Sequence, residues 1–227
     1  MPKREKSIYL DYAATTPIDP VVKQAMERYF TVEFGNPGSV HRFGVAAKSA
    51  VGEARNKTAC LLGARADEIL FTSGGTESNN LAILGIIKAL QDKGVRRSGI
   101  HAVTSLIEHS SVLGPFRELE RLGVSITYLP VDSRGVVRPD TVHRVLRPET
   151  ALVSLMYANN EIGTIQPIAK IGRLIRQHND CASPGRRFRT LFHSDASQAA
   201  GYLDCAVNRL LVDLLTIDAH KFYGPKG

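Results

Sequence analysis

The sequence predicts an α/β fold in which a mostly parallel β-sheet is flanked by helices. Short apolar runs typical of strands alternate along the chain with longer segments of helical periodicity. Strands that are separated by helices need crossover connections, and such connections make neighbouring strands parallel. Polar clusters also follow several predicted strands, at the edge where ligands of such sheets bind.

Local signals place the individual elements. Asp19-Pro20 predicts a helix start, because aspartate caps backbone amides and proline is tolerated in the first turn. The loop Gly35-Asn36-Pro37-Gly38-Ser39 separates this helix from the next. Helices are predicted at 21–30, 40–62, 77–93, 111–122, 139–146 and 168–178, and strands at 68–72, 100–104, 124–129, 151–156, 189–193 and 212–217. The polar stretch 179–187, which contains Pro184-Gly185, is predicted to be a flexible insertion.

Composition narrows the class of protein. The 227 residues are 43% hydrophobic and 22% charged, which is typical of a globular domain. The first residues lack the apolar core of a secretory signal and no apolar run reaches membrane-spanning length, so we expect a cytoplasmic protein, with an organelle not excluded. The net charge is +7, and its densest cluster is Arg186-Arg187-Phe188-Arg189. Without aromatic interleaving or a recognition helix, this cluster indicates a solvated loop rather than nucleic-acid binding.

The three cysteines show no metal-ligand spacing, so no metal site is expected. Cys60 lies in an apolar helical run and is predicted to be buried. Cys181 and Cys205 lie in connecting segments, where an inert thiol is favoured over a reactive one.

The segment Ser73-Gly74-Gly75-Thr76 joins a predicted strand to a predicted helix. Glycine lets the backbone approach an anion closely, and the first helical amides are unpaired. The Gly75 amide and the Thr76 hydroxyl are therefore candidate anion ligands, although one such loop is equally typical of an ordinary capped helix.

Asp195 follows another predicted strand and has two interpretations. It is either a capping residue or the partner of a buried cation, such as a protonated pyridine nitrogen. Gln198, three residues further on, can return to the same cavity.

His109 also follows a strand, where an imidazole can stack on a flat ring and exchange protons. The pair Asn159-Asn160 either forms a turn or orients a ligand.

His220-Lys221 follows the last predicted strand beside the turn Gly224-Pro225. A lysine held rigidly at such a position can condense with an aldehyde cofactor if its amine is partly neutral.

These segments, in this order, resemble the cysteine desulfurase and selenocysteine lyase family, a branch of the aminotransferase-fold enzymes that use pyridoxal 5′-phosphate (PLP). The matching segments are 9–17, 34–37, 72–80, 108–109, 159–163, 195–198 and 220–227. The resemblance implies that residues 19–227 form the PLP-binding large domain and that residues 1–18 contribute to the small domain and the active site. It also implies that the fold is truncated at its C-terminus.

The resemblance also implies roles for single residues. Lys221 would bind the cofactor covalently and move the α-proton of the substrate. His109 would stack on the ring and Asp195 would pair with its nitrogen. The phenolic oxygen would be bound by Gln198 and Asn160, and the phosphate by Gly75, Thr76 and His220.

Two departures from the family are visible. Asp218 stands where the family commonly has a serine that donates to the phosphate. The family's sulfur-accepting cysteine and substrate-binding arginine lie beyond the lysine, and no residue here matches them.

The implied reaction is removal of sulfur from L-cysteine, giving L-alanine and an enzyme persulfide. The alternatives are a selenocysteine lyase and a non-catalytic fragment that keeps only PLP binding or dimerisation. A homodimer is expected, with sulfur-acceptor or iron–sulfur scaffold proteins as further partners.

Overall fold

A computed structural model describes residues 7–181 and 188–226. Its sheet has the order β2-β1-β3-β4-β5, and every neighbouring pair is parallel. The strands are β1 (His101–Ser105), β2 (Ser125–Leu129), β3 (Thr150–Ser154), β4 (Leu191–Asp195) and β5 (Leu214–Thr216). The predicted α/β class with a mostly parallel sheet is therefore confirmed.

Helices precede and connect these strands; α1 to α6 lie close to the predicted bounds, whereas the short α7 was not predicted. They are α1 (Pro20–Thr31), α2 (Arg42–Leu62), α3 (Gly75–Asp92), α4 (Ser110–Arg121), α5 (Pro139–Val145), α6 (Ile168–Asp180) and α7 (Val207–Leu210). The carboxylate of Asp19 accepts a hydrogen bond from the amide of Val21 at 2.7 Å, as the predicted helix start requires. No described helix is long and apolar enough to cross a membrane.

The core lies on both faces of the sheet. Because side chains alternate along a strand, Ala102 of β1 packs with α3 and α4, and Val103 packs with α5 and α6. Phe116 and Phe192 are the largest fully buried side chains of the two layers. Burial of each such side chain stabilises the fold by roughly 1.5–3 kcal/mol.

The predicted strand at 68–72 is wrong. Residues 66–68 form a 3-10 turn and the following residues pair with no strand. Leu70 is 66% exposed, and a cavity of about 450 Å³ separates this segment from β5. In the described part of the chain β5 pairs only with β4. A β-prone run needs a partner strand, and this segment has none.

Two further predictions need correction. The insertion at 179–187 begins too early, because Asn179 and Asp180 still belong to α6; residues 182–187, with Arg186 and Arg187, lie outside the described residues. Cys60 lies in α2 as predicted, but it is exposed, so its predicted burial is wrong. Cys181 is exposed as well, whereas Cys205 is buried, and burial raises the pKa of its thiol to about 11. The Cys205 thiol is therefore protonated at neutral pH and inert, as predicted.

Hydrogen bonds of Thr16 connect the N-terminal segment to the turn that follows β5. Its buried hydroxyl donates to the carbonyl of His220 at 2.9 Å and accepts from the amide of Tyr223 at 2.7 Å. The Thr16 amide also donates to the His220 carbonyl at 2.9 Å. The two ends of the described chain thus meet at one threonine.

Thr16→Val should lower the free energy of unfolding by about 1–3 kcal/mol, because it leaves the half-buried Tyr223 amide without its partner and removes one of the two donors to the His220 carbonyl. Urea denaturation measures this loss. Thr15→Val is the matched control, since the buried Thr15 hydroxyl has no hydrogen-bond partner among the described residues. Equal losses in the two variants would contradict the role given to Thr16.

Candidate functional site

A cavity of about 550 Å³ lies beyond the carboxyl ends of β1, β3, β4 and β5. Parallel pairing aligns these four strand ends, so residues that are far apart in sequence meet there. All eight residues singled out from the sequence line the cavity: Gly75, Thr76, His109, Asn160, Asp195, Gln198, His220 and Lys221.

Lys221 is half-buried in a 3-10 turn, five residues beyond the end of β5. Its Nζ atom donates to the carbonyl oxygens of Ala13 and Ala14, each at 3.0 Å. The turn requires glycine at position 224, because a Cβ atom there would lie 2.7 Å from the Cβ atom of Ala219. The amine is therefore held at the cavity wall by the N-terminal segment.

Asp195 is the last residue of β4 and is buried. Its Oδ1 atom accepts from the Ser197 amide at 2.9 Å, and its Oδ2 atom accepts from Asn79 Nδ2 at 2.7 Å. The two interpretations of Asp195 are thus compatible: the carboxylate stabilises the turn after β4 and also lines the cavity.

Below Asp195, the buried ring of His193 connects three strands. Nδ1 pairs with the Ser154 hydroxyl of β3 at 2.8 Å, and Nε2 pairs with the Thr216 hydroxyl of β5 at 3.0 Å. Burial lowers the pKa of His193 to about 4, although the Asp195 carboxylate acts in the opposite direction. His193 is therefore neutral at neutral pH, and it holds the strand that carries Asp195.

His109 caps the N-terminus of α4. Its Nδ1 atom accepts from the Ser111 amide at 3.2 Å and pairs with the Ser111 hydroxyl at 2.7 Å. Because Nδ1 accepts from the amide, the proton of the neutral ring is assigned to Nε2. The Ser111 hydroxyl also accepts from Asn79 Nδ2 at 2.9 Å, so Asn79 links Asp195 to His109.

Asn159 and Asn160 have different tasks. The Asn159 side-chain oxygen accepts from the amides of Glu161 and Ile162, so this residue forms the turn after β3. Asn160 lines the cavity instead. Gln198, on the other side, donates from Nε2 to the carbonyl of Ala13 at 2.8 Å.

The first turn of α3 forms the end of the cavity where anion binding is predicted, but this end already holds a carboxylate. Asp218 Oδ2 accepts from the Gly75 amide at 3.0 Å, and Asp218 Oδ1 pairs with His220 Nδ1 at 2.7 Å. Asp218 therefore points towards the two predicted anion ligands, Gly75 and His220.

Sequence reasoning missed three contributors: Asn79, Ser111 and Glu108. Asn79 stands four residues after Gly75 on one helix face, so helical spacing could have indicated that it reaches the same cavity. Ser111, two residues after His109, has the ordinary pattern of a helix start and carries no distinctive signal.

Glu108 is the third of these residues, buried beside the cavity. It accepts from the Ser105 hydroxyl and from the Met156 amide through Oε1, while Oε2 is buried without a partner among the described residues. Burial raises the pKa of Glu108 to about 8, and the negative charge of Asp195 adds to the rise. Glu108 is therefore mostly neutral at pH 7, which leaves Asp195 as the anionic carboxylate next to it.

Glu108→Gln should flatten the dependence of stability on pH. The folded pKa of Glu108, about 8, exceeds the unfolded value of 4.5, so its contribution is complete below pH 4.5 and is lost as pH rises to 8. The parent should lose up to ~1.4 kcal/mol per pH unit relative to the variant in this window. Urea denaturation at pH 5, 6.5 and 8 measures the difference.

Two comparisons make this test specific to Glu108. Burial lowers the pKa of both His101 and His193 to about 4, so their contribution is lost as pH falls from 6.5 to 4, equally in parent and variant. Glu118→Gln, at an exposed salt bridge, is the control and should keep the parent's slope. A parent-like slope in Glu108→Gln would show that Glu108 is ionised in the folded protein.

Known proteins are similar to this chain in sequence and in fold. Residues 8–227 match the family model described as Aminotransferase class-V. The chain is 49% identical to a cysteine desulfurase IscS of Dictyoglomus turgidum over 98% of this chain and 53% of that protein. It is 46% identical to a cysteine desulfurase IscS of Methanosarcina thermophila, over 98% and 51% respectively. The chain thus spans about half the length of the curated relatives it matches.

Solved structures show the same similarity. A structure described as SspA in complex with cysteine superposes with a TM-score of 0.87 and 38% identity, covering 97% of this chain and 59% of that one. A NifS-like protein superposes with a TM-score of 0.86 and 38% identity, over 97% and 57%. By sequence and by fold, the chain belongs to the aminotransferase class-V family, whose members depend on pyridoxal 5′-phosphate.

Proposed function

We propose that this chain carries the PLP-dependent part of a cysteine desulfurase, which removes sulfur from L-cysteine, or selenium from L-selenocysteine, and leaves L-alanine. The observation that carries the proposal is a lysine amine that faces a cavity also lined by a buried carboxylate and an imidazole, Asp195 and His109. The similarity to proteins named cysteine desulfurase supports the choice of substrate.

The ring end of the cavity fits the cofactor. Its volume, about 550 Å³, lies within the range of small-molecule sites. Asn79 and the Ser197 amide fix Asp195, so its carboxylate is oriented in advance for a pyridine nitrogen. At the other end, Thr76 and His220 line the cavity, and the acidic side chain of Asp218 contacts two of the predicted anion ligands, Gly75 and His220.

When bound, PLP supplies an electron sink that stabilises negative charge on the α-carbon of an amino acid. The chain's own residues then have separate tasks. Asp195 holds a proton on the pyridine nitrogen, since a buried carboxylate favours the charged form of its partner. His109 covers one face of the ring, with Nδ1 held by Ser111. Gln198 and Asn160 orient the phenolic oxygen.

Lys221 moves the α-proton of the substrate in this proposal. Its amine now donates to the carbonyls of Ala13 and Ala14, each at 3.0 Å. The amine has to leave these carbonyls before it can act as a nucleophile or a base. Residues 1–18 would therefore serve the active site, and residues 19–227 would form the PLP-binding large domain.

The sulfur acceptor is not one of the chain's three cysteines in this proposal. None of them lines the cavity: Cys60 and Cys181 are exposed elsewhere, and Cys205 is buried. Sulfur transfer requires a thiolate in contact with the substrate sulfur, because proximity determines most of the rate. We further propose a homodimer that passes sulfur to an acceptor or to an iron–sulfur scaffold protein.

The first test concerns Lys221. After incubation with PLP, borohydride reduction and peptide mapping by mass spectrometry should locate the cofactor on Lys221, because its amine faces the cavity. Lys221→Ala should abolish the label. Lys226→Ala is the control and should retain it, since Lys226 is exposed and lies outside this cavity. A stoichiometric label on another lysine of the parent would reject the assignment.

The second test concerns Asp195. Asp195→Ala should slow exchange of the α-proton of L-alanine by roughly 100-fold, because the ring nitrogen loses the carboxylate that keeps it protonated. Proton NMR in D₂O in the presence of PLP measures this rate, and equilibrium dialysis should show that much of the PLP is retained. Asp140→Ala, on the exposed first turn of α5, is the control. Exchange at the parent's rate would reduce Asp195 to a structural cap.

A further inference from the structure

The anion-binding end of the cavity is occupied by a side chain of the protein itself. Asp218 is only 9% exposed, and both of its oxygens have partners at this end: the Gly75 amide and His220 Nδ1. A phosphate bound at the start of α3 would use the same two partners, because the first amide of the helix and the His220 imidazole are donors at this end, together with the Thr76 hydroxyl. The carboxylate and a phosphate therefore compete for the same donors.

The fit of Asp218 is close. A Cβ atom on Gly75 would lie 2.9 Å from Asp218 Oδ2 and 3.2 Å from the Ser197 hydroxyl, so only glycine leaves room for this carboxylate. The contact joins residues 143 positions apart and is buried. Asp218 is therefore built into the site and not a mobile surface side chain.

The surrounding charges do not compensate for an added dianion. Glu77, in the first turn of α3, contributes a second carboxylate, and hydrogen bonds from the hydroxyl and the amide of Ser73 hold the pKa of Glu77 below its usual value. His220, which lines this end, is already paired with Asp218, and the exposed Lys226 lies in a neighbouring groove outside the cavity of about 550 Å³. Lys221 is held by the carbonyls of the N-terminal segment.

We propose that Asp218 is a specificity-determining residue that acts as an internal competitor of the cofactor's phosphate. The inference rests on the proposed PLP site and deepens it. It predicts that the chain discriminates weakly between PLP and pyridoxal, the same ring without the phosphate. When PLP binds, its phosphate takes over the Gly75 amide and His220, and the Asp218 carboxylate is displaced. Pyridoxal has no phosphate, so it binds while the Asp218 carboxylate keeps its contacts with the Gly75 amide and His220.

The test compares the dissociation constants of PLP and pyridoxal by equilibrium dialysis for the parent, Asp218→Ser and Asp218→Asn. Asp218→Ser should tighten PLP by about 10- to 100-fold, the range expected when a charged competitor is removed from charge-assisted hydrogen bonds. Pyridoxal should change by less than about 3-fold. Asp218→Asn should give an intermediate gain, since its side chain still accepts from the Gly75 amide without the charge.

Matched variants separate a local from a general effect. Asp140→Ser removes one exposed negative charge from α5, which does not line the cavity, and should leave both constants unchanged. Thr76→Ala should weaken PLP and spare pyridoxal. Binding of inorganic phosphate, followed by calorimetry without any cofactor, should tighten in Asp218→Ser. Circular dichroism checks that each variant is folded.

The outcomes distinguish this inference from the proposed function. If PLP and pyridoxal both bind and their ratio is the same in parent and Asp218→Ser, Asp218 does not compete with the phosphate and the inference is wrong. If neither binds to any folded variant, the proposed PLP site is wrong. In that case, tighter binding of inorganic phosphate by Asp218→Ser would still support the competition, and unchanged binding would reject it.

Discussion

The position of Asp195 depends on hydrogen bonds that cross the sheet. His193, two residues earlier on the same face of β4, pairs with hydroxyls on β3 and β5 at 2.8 and 3.0 Å. Parallel pairing in β3, β4 and β5 sets the register that lets one neutral imidazole reach both hydroxyls. Asn79 and the Ser197 amide then orient the carboxylate. In the proposed PLP site, the Asp195 carboxylate lies at the ring nitrogen of the cofactor. Its position is set by hydrogen bonds within the protein and not by contacts with the cofactor.

The helix α3, whose first amides are the proposed phosphate ligands, also carries Asn79. Gly75 and Asn79 lie one turn apart on α3, so a shift of this helix would move the phosphate end and the ring end together. Through Ser111, Asn79 also reaches His109 on α4. A single buried amide therefore couples three elements: α3, β4 and α4. Its Oδ1 atom is buried and has no hydrogen-bond partner in the described part of the chain, so donating to Asp195 and Ser111 is achieved at some cost in free energy.

The sequence predicted most of the fold and the residues of the cavity because strand periodicity and helix-start signals are local. Lys221 and His109 follow strands and Asp195 ends one, and parallel topology brings strand ends together. The segment 68–72 could not be predicted in this way, because an extended run becomes a strand only beside a partner, and β5 does not pair with it. The exposure of Cys60 likewise depends on which face of α2 packs, and that is a tertiary property. The contact of Asn79 with Asp195 and that of Asp218 with Gly75 each join residues more than a hundred positions apart, so no local pattern contains them.

The two ends of the cavity share one physical feature: groups of the protein itself contact the residues to which the proposed PLP site assigns the cofactor. Carbonyls of Ala13 and Ala14 hold the Lys221 amine, and Ala13 also accepts from Gln198. Asp218 holds the Gly75 amide and His220. These contacts satisfy donors that would otherwise be buried or charged without a partner, so they stabilise the fold without the cofactor. The same contacts oppose cofactor binding, because each must be exchanged for a contact with PLP. The affinity for PLP therefore depends on the difference in free energy between the protein with these internal contacts and the protein with PLP bound. Substitutions at Asp218 change this difference directly, because they alter the internal contacts.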